Sequence, residues 1–203
     1  MMRIVNTFLS CGITENDSQS HRRTWKLSVM LEPTNNNLSK YINLVPRDWK
    51  SNSRIYGEAC ELWVSENVSC PSCHSGTLIK LEANEPTIDH RCDNCGETIQ
   101  VKAKNGNFLK KDGSVSIVGA AYGKTLESLS SDNQWSMLLV SYNSGSESFV
   151  TEAHYIPSEN VGPENVVPRK PLGPHCRRAG WQGCNLTFQG SDIHTICNFS
   201  DNR

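Results

Sequence analysis

The stretch TIDHRCDNCGETIQVKAK, Thr87 to Lys104, decides how the rest of this 203-residue chain is read. Two short runs, TIDHRC and TIQVKAK, flank the tight turn DNCG, which is the pattern of a β-hairpin. The turn carries Cys92 and Cys95 as a C-x-x-C pair, and Cys70 and Cys73 form a second pair eighteen residues upstream. Each such turn aims two thiolates at one point. Four thiolates close a tetrahedral shell around Zn2+ and leave no position for water, so the site they make is structural. The spacing predicts a zinc ribbon over residues 70–95 with Cys70, Cys73, Cys92 and Cys95 as ligands. A redox motif would need only one of the two pairs, and with four thiolates available His74 reads as a surface histidine.

Outward from the hairpin, Ile55, Tyr56, Ala59, Leu62 and Trp63 recur at helical spacing, which predicts an amphipathic helix from Ser53 to about Glu66. A second helix is expected from Gly119 to Leu129, with Ala120, Tyr122, Leu126 and Leu129 as its apolar positions. WSMLLVSY and SFVTEAHYI read as buried strands separated by the turn-forming NSGSE. Five prolines punctuate Pro157–Pro174 and exclude a helix there, so that segment is expected to be a long ordered loop. Helix, two strands, helix, two strands define an α/β fold with a mixed sheet flanked by helices. Residues 1–38 are polar and turn-rich and read as a poorly ordered or variable extension; residues 187–203 read as a tail without organisation.

Composition narrows the classes of function. With 36% hydrophobic and 20% charged residues and a mean hydropathy of -0.50, the chain is a soluble globular type that nowhere approaches the ~20 apolar residues of a membrane span. The opening MMRIVNTFLSCG is too weak for a secretory signal, so the expected location is the cytoplasm. An odd nine cysteines without such a signal argue against a disulfide scaffold. Twenty basic against twenty-one acidic residues announce no nucleic-acid binder. Local clusters in VKAKNGNFLKK and PRKPLGPHCRR can still make a positive face on a neutral protein.

The same hairpin carries a second pattern, Asp89 with Gln100 and Lys102. Metal-dependent nucleases of the PD-D/ExK type use an acid at one strand end, then an acid and a lysine two residues apart on the next. Alternation puts that last pair on one face, where the acids hold Mg2+ and the lysine orients the attacking water. Asp89, Gln100 and Lys102 have this layout, except that an amide stands where the second acid is expected. Taken alone, so short a pattern is also satisfied by ordinary polar residues of a strand.

A longer resemblance bears on the choice. KSNS at Lys50–Ser53, Glu61 with the WV that follows in the first helix, the two C-x-x-C pairs, VKAKNGNF at Val101–Phe108 and RKPLGPHCRRAGWQGCN at Arg169–Asn185 occur in the order and spacing of the catalytic domain of DpnI-type restriction endonucleases. The chain resembles that family from about Lys50 to Leu186. The resemblance implies a restriction-endonuclease-like PD-D/ExK core with an inserted zinc ribbon, Mg2+-dependent cleavage of double-stranded DNA, and readout of N6-methyladenine in GATC sites. The family's first acid falls on Asp89, its second on Gln100 and its lysine on Lys102. Its arginine-rich loop, close to the methylated bases, falls on Arg177, Arg178 and Trp181. Arginine can pair with guanine edges or phosphates, and an indole offers an apolar face to a methyl group. Lys104 extends the basic side of the hairpin toward DNA.

The expected organisation is thus a nuclease domain over 39–186, without the winged-helix domain that usually follows in the family and with no protein partner predicted. Gln100 can ligate a cation through its carbonyl oxygen but brings no negative charge, so metal affinity is expected to fall. Glu61, on the preceding helix, is the acid expected to compensate, whereas Glu97 has the wrong alternation relative to Gln100. The competing reading is a zinc-containing methyl-DNA-binding module, descended from such a nuclease and weakened or inactive in catalysis.

Overall fold

The computed structural model describes residues 33–82, 88–130 and 134–199. Along the chain run α1 (Ser39–Ile42), α2 (Asn52–Asn67), β1 (Leu78–Lys80), β2 (His90–Cys92), β3 (Thr98–Asn105), β4 (Val115–Ala121), α3 (Tyr122–Leu129), β5 (Ser136–Asn143), β6 (Phe149–Ile156), β7 (Val166–Pro168), β8 (Gly183–Phe188) and β9 (His194–Asn198). Six strands form one mixed sheet in the order β1-β2-β3-β5-β6-β9, and three form a second in the order β4-β8-β7. Within the larger sheet only β3 and β5 are parallel. A parallel pair needs a crossover, and here the chain from β3 to β5 passes through β4 and α3.

SMLLVSYN makes β5 because every side chain from Ser136 to Tyr142 is buried. Leu138, Val140 and Tyr142 join Ala59, Cys60, Trp63 and Val64 of α2 in one core. Met137 and Leu139 join Val115, Ile117, Leu186 and Phe188 of the smaller sheet in another. A strand covered on both faces reads as a continuous apolar run, not an alternating one. Helix α2 spans Asn52–Asn67, one residue beyond the expected range at each end, and no side-chain hydrogen bond caps its start at Ser51. Its stability therefore comes from packing of the Ala59–Val64 stripe, with the Trp63 indole donating to Asn35 O at 2.9 Å.

Several expectations are corrected by this arrangement. The second helix begins at Tyr122 rather than Gly119, because Val115 and Ile117 alternate into the core as strand residues and carry β4 to Ala121. Gly119 belongs to that strand; a Cβ there would lie 2.6 Å from Cys184 Sγ. The proline-rich loop contains two 3-10 turns and the short edge strand β7, where Pro168, with no N–H to give, ends the ladder. The expected boundary at 186 falls inside β8, and β9 pairs antiparallel with β6, so residues 187–198 complete the two sheets. Residues 1–32 of the expected extension lie outside the described residues. Its end is tied down: Leu38 is fully buried, and its N–H donates to Ser148 O at 2.9 Å. Thr87 also lies outside the described residues, and the first hairpin strand is short, starting at His90.

Candidate metal and catalytic sites on the hairpin

Strands β1, β2 and β3 are antiparallel neighbours, with Leu78 opposite Cys92 and His90 opposite Ile99. That pairing brings the turn after α2, which holds Cys70 and Cys73, over the turn holding Cys92 and Cys95. The four Sγ atoms lie within 4.8 Å of one another, Cys70–Cys95 and Cys73–Cys92 both at 3.7 Å. The edge of a tetrahedron with Zn–S bonds near 2.3 Å is about 3.8 Å, so the separations are those of a set ready to hold zinc. Backbone N–H groups of Asn94 and Cys95 point at Cys92 Sγ from 3.4 and 3.5 Å, and the Asn94 amide donates to Cys73 Sγ at 3.6 Å. Such donors favour thiolate over thiol. Gly76 must be glycine, since any Cβ would collide with Cys92 Sγ. His74, at φ 60, occupies the left-handed position just after the first pair.

Asp89 immediately precedes β2, on the far side of that strand from the cysteine turn. Its Oδ2 accepts the Val101 N–H at 2.7 Å. The Asp89 N–H donates to Ile99 O at 3.0 Å, which sets Asp89 beside β3 next to Gln100, and alternation along β3 puts Gln100 and Lys102 on one face. Burial is the main force on all three charged groups at this end of the hairpin. It pushes Asp89 and Glu61 above the usual carboxylate range and Lys102 below the usual lysine range. The Lys102 ammonium is supported by Asp89 and Glu61, while Glu61 is raised further by Asp89. The structure thus brings Asp89, Glu61 and Lys102 into one partly buried cluster, with Gln100 beside it. Carboxylate and carbonyl oxygens are the donors a hard cation such as Mg2+ takes, so the donor set fits that ion.

Glu97 is elsewhere. It accepts from the Ser136 hydroxyl and, at 3.4 Å, from the Tyr155 hydroxyl, on the face opposite Gln100. His90 also points away from Asp89, into α2, where Nε2 lies 3.0 Å from both Glu61 O and Ser65 Oγ. A carbonyl only accepts, so Nε2 carries the proton and His90 fastens the backbone of Glu61 to the strand that follows Asp89. Sequence reasoning missed Glu58 and Lys80, which form an ion-pair network with Glu61: Lys80 Nζ lies 2.5 Å from Glu58 Oε1 and 3.0 Å from Glu61 Oε2. The i, i+3 spacing of Glu58 and Glu61 was a visible signal. Lys80 sits in a three-residue strand with no pattern of its own.

His90 gives a pH signature. Burial pushes its pKa from 6.5 down to about 4. Between those values the unfolded chain takes up a proton that the fold excludes. The contribution of His90 to stability is fully present above pH 6.5 and is lost as pH falls toward 4, by about 2 kcal/mol at pH 5. Urea melts at pH 7.5 and pH 5 should show that loss in the wild type and a clearly smaller one in His90→Asn.

The arginine-bearing loop joins β7 to β8. The Leu172 N–H donates to Trp181 O and the Gly180 N–H to Leu172 O, both at 2.9 Å, which closes the loop at its neck. Gly180 takes φ +79, a conformation glycine adopts without strain. Arg177 and Arg178 are exposed and Trp181 is half-buried, its ring resting on Gly183, where a Cβ would lie 2.8 Å away. The Arg178 guanidinium stands 4.7 Å from the indole centroid. Trp181 is therefore a surface aromatic paired with a cation, not a core residue. Three positions on, Cys184 of β8 bears on the charge of Lys102, so the loop springs from the strand beside the candidate catalytic lysine. Lys104 is exposed and donates to Asn107 O at 2.8 Å.

A mixed α/β domain, with a cysteine cluster compatible with a zinc ribbon and an acid–lysine cluster on the same hairpin, is the class these features define. The family model for DpnI, the Dam-replacing family, matches residues 37–195, and the chain belongs to that family. In general terms this makes it a methyl-dependent restriction nuclease with DNA as its partner. Among the described residues, no helix is long and apolar enough to cross a membrane.

Proposed function

We propose that the protein is a Mg2+-dependent endonuclease that cleaves double-stranded DNA at GATC-type sites carrying N6-methyladenine, and that it restricts methylated foreign DNA in the cytoplasm. The observation that carries this reading is the Asp89–Glu61–Lys102 cluster, since a module that only bound DNA would have no use for a partly buried lysine beside two partly buried acids. Asp89, Glu61 and the Gln100 carbonyl would hold the cation. Bound there, Mg2+ supplies Lewis-acid polarisation of the scissile phosphate and lowers the pKa of a water. Lys102 orients that water through its ammonium, and the Val101 N–H fixes the rotamer of Asp89. Zn2+ on the four cysteines holds the hairpin that carries the site. Lys104 contacts phosphate, while Arg177, Arg178 and Trp181 read the methylated bases by guanine pairing and apolar contact.

Gln100 favours a second reading, a methyl-DNA-binding module with weak or no cleavage, because the cation loses one negative ligand. Incubation with GATC-containing plasmid, methylated and unmethylated, in Mg2+ and in Mn2+ separates the two. Cleavage of the methylated plasmid alone is the expected result, and Gln100→Glu should raise the rate on the order of tenfold by restoring a charge at the cation. Binding without cutting in either metal, unchanged by Gln100→Glu, would establish the second reading instead.

A further inference from the structure

Lys80 has no counterpart in the roles assigned above, yet its position is specific. Its side chain is about a quarter exposed, and its ammonium bridges Glu58 and Glu61 at 2.5 and 3.0 Å. Lys80 pairs with His90 in the β1–β2 ladder, and the next residue, Leu81, donates its N–H to Asp89 O at 2.9 Å. Both Lys80 and Glu58 bear on the charge of Asp89. A bridging ammonium in a partly buried acidic cluster differs from an exposed ion pair, because the low local dielectric strengthens each contact. Without a cation, Glu58, Glu61 and Asp89 repel one another, and Lys80 is the group that relieves Glu58 and Glu61 together. A divalent cation reaching for Glu61 therefore meets an ammonium already attached to it.

We propose that Lys80 is the counter-ion that a divalent cation must displace: its ammonium holds Glu61 in the metal-free protein and withdraws to Glu58 when the cation takes Glu61. This rests on the reading of Asp89, Glu61 and Gln100 as cation ligands and adds to it a competitor built into β1. Two effects oppose each other when Lys80 is removed. Glu61 is freed to move, which costs the ordering of one side chain when the cation binds, and the repulsion between an ammonium and a dication a carboxylate's width apart disappears. The second is larger at that range in a partly buried site, so removal tightens binding. Glu58 has the opposite sign, since without it the ammonium has nowhere to withdraw and grips Glu61 alone.

Mn2+ titrated calorimetrically into the zinc-loaded protein reads this directly, without DNA and without turnover. Lys80→Met is expected to bind Mn2+ about tenfold more tightly than the wild type, and Glu58→Gln about tenfold more weakly. In a Glu61→Gln background, Lys80→Met should shift affinity by no more than about twofold, because the displaced contact no longer exists. Lys80→Gln serves in its place if thermal melting shows that Lys80→Met does not fold. If Asp89→Asn weakens Mn2+ binding but Lys80→Met leaves it unchanged or weaker, the cation site stands and the displacement is overturned. Tightening that persists undiminished in the Glu61→Gln background overturns it too, since a general charge effect would then suffice. No Mn2+ binding in the wild type, or binding that Asp89→Asn leaves unchanged, overturns the reading of the cation site and this proposal with it.

Discussion

Chelation of zinc is expected to abolish DNA cleavage and to collapse the hairpin, even though the four cysteines take no part in the chemistry. A structural zinc site contributes roughly 10–16 kcal/mol of apparent binding energy at neutral pH, as large as the roughly 5–15 kcal/mol net stability of a whole domain. Beside the metal, the ribbon is held by Leu78 packed against α2 and by the Lys80 and His90 contacts to that helix. Strands β1 and β2 are three residues each, too short to be stable as an isolated ribbon. Cys92 is the last residue of β2 and Asp89 immediately precedes its first, so releasing the thiolates releases the strand that positions Asp89. The rest of the larger sheet should survive, because β5 and β6 are covered mainly by α2 on one face and by the smaller sheet on the other. When zinc is stripped with a strong chelator, the chelator is then removed and the protein is assayed in Mg2+, the expected outcome is loss of cleavage, a melting transition that is lowered or split in two, and recovery only when Zn2+ is added back beside the Mg2+. Cys92→Ser should reproduce the loss without recovery. A chelated protein that melts and cuts like the untreated one would rule out zinc as the staple.

The parts of the fold that could be read in advance are those where one physical cause dominates. Helix α2 and strands β5 and β6 bury strong apolar patterns, and the two C-x-x-C pairs leave few alternatives to a shared ion. The errors came where causes compete. Gly119–Ala121 looks helical because it runs directly into the Tyr122, Leu126 and Leu129 period, but Val115 and Ile117 pair with β8 and carry the strand past the glycine. Strand β9 was invisible because only Ile196 and Cys197 of its five residues are buried, and an edge strand that short has almost no period to detect. At the candidate site, Asp89, Lys102 and Glu61 were reachable by spacing and resemblance. Lys80 was not, because its partners lie 22 and 19 positions away on a helix, and nothing local to LIK marks a lysine that turns inward.

Replacing Lys102 with methionine is expected to leave a protein that is folded, binds methylated DNA and does not cut it. Lys102 is held below its ordinary pKa by burial, which means the fold bears a desolvation cost to keep an ammonium there. Asp89 and Glu61 offset part of that cost. Methionine has a similar length and no charge, so the substitution removes the desolvation while leaving two acids with one fewer cation. These changes act in opposite directions on stability, and the melting temperature should move little. Catalysis has no such offset. Positioning of a water by a charged donor is worth roughly 10²–10⁴-fold in rate, and among the described residues no other lysine is placed to replace it, since Lys80 is held by Glu58 and Lys104 donates to Asn107 O. The arginine loop is built by its own hydrogen bonds between Leu172, Gly180 and Trp181, so binding should stay within about threefold of the wild type. Single-turnover cleavage and filter binding on the same methylated duplex measure the two separately. Cleavage above a tenth of the wild-type rate would remove Lys102 from the chemistry; equal losses of binding and cutting would move it from the reacting centre to the DNA-contact surface.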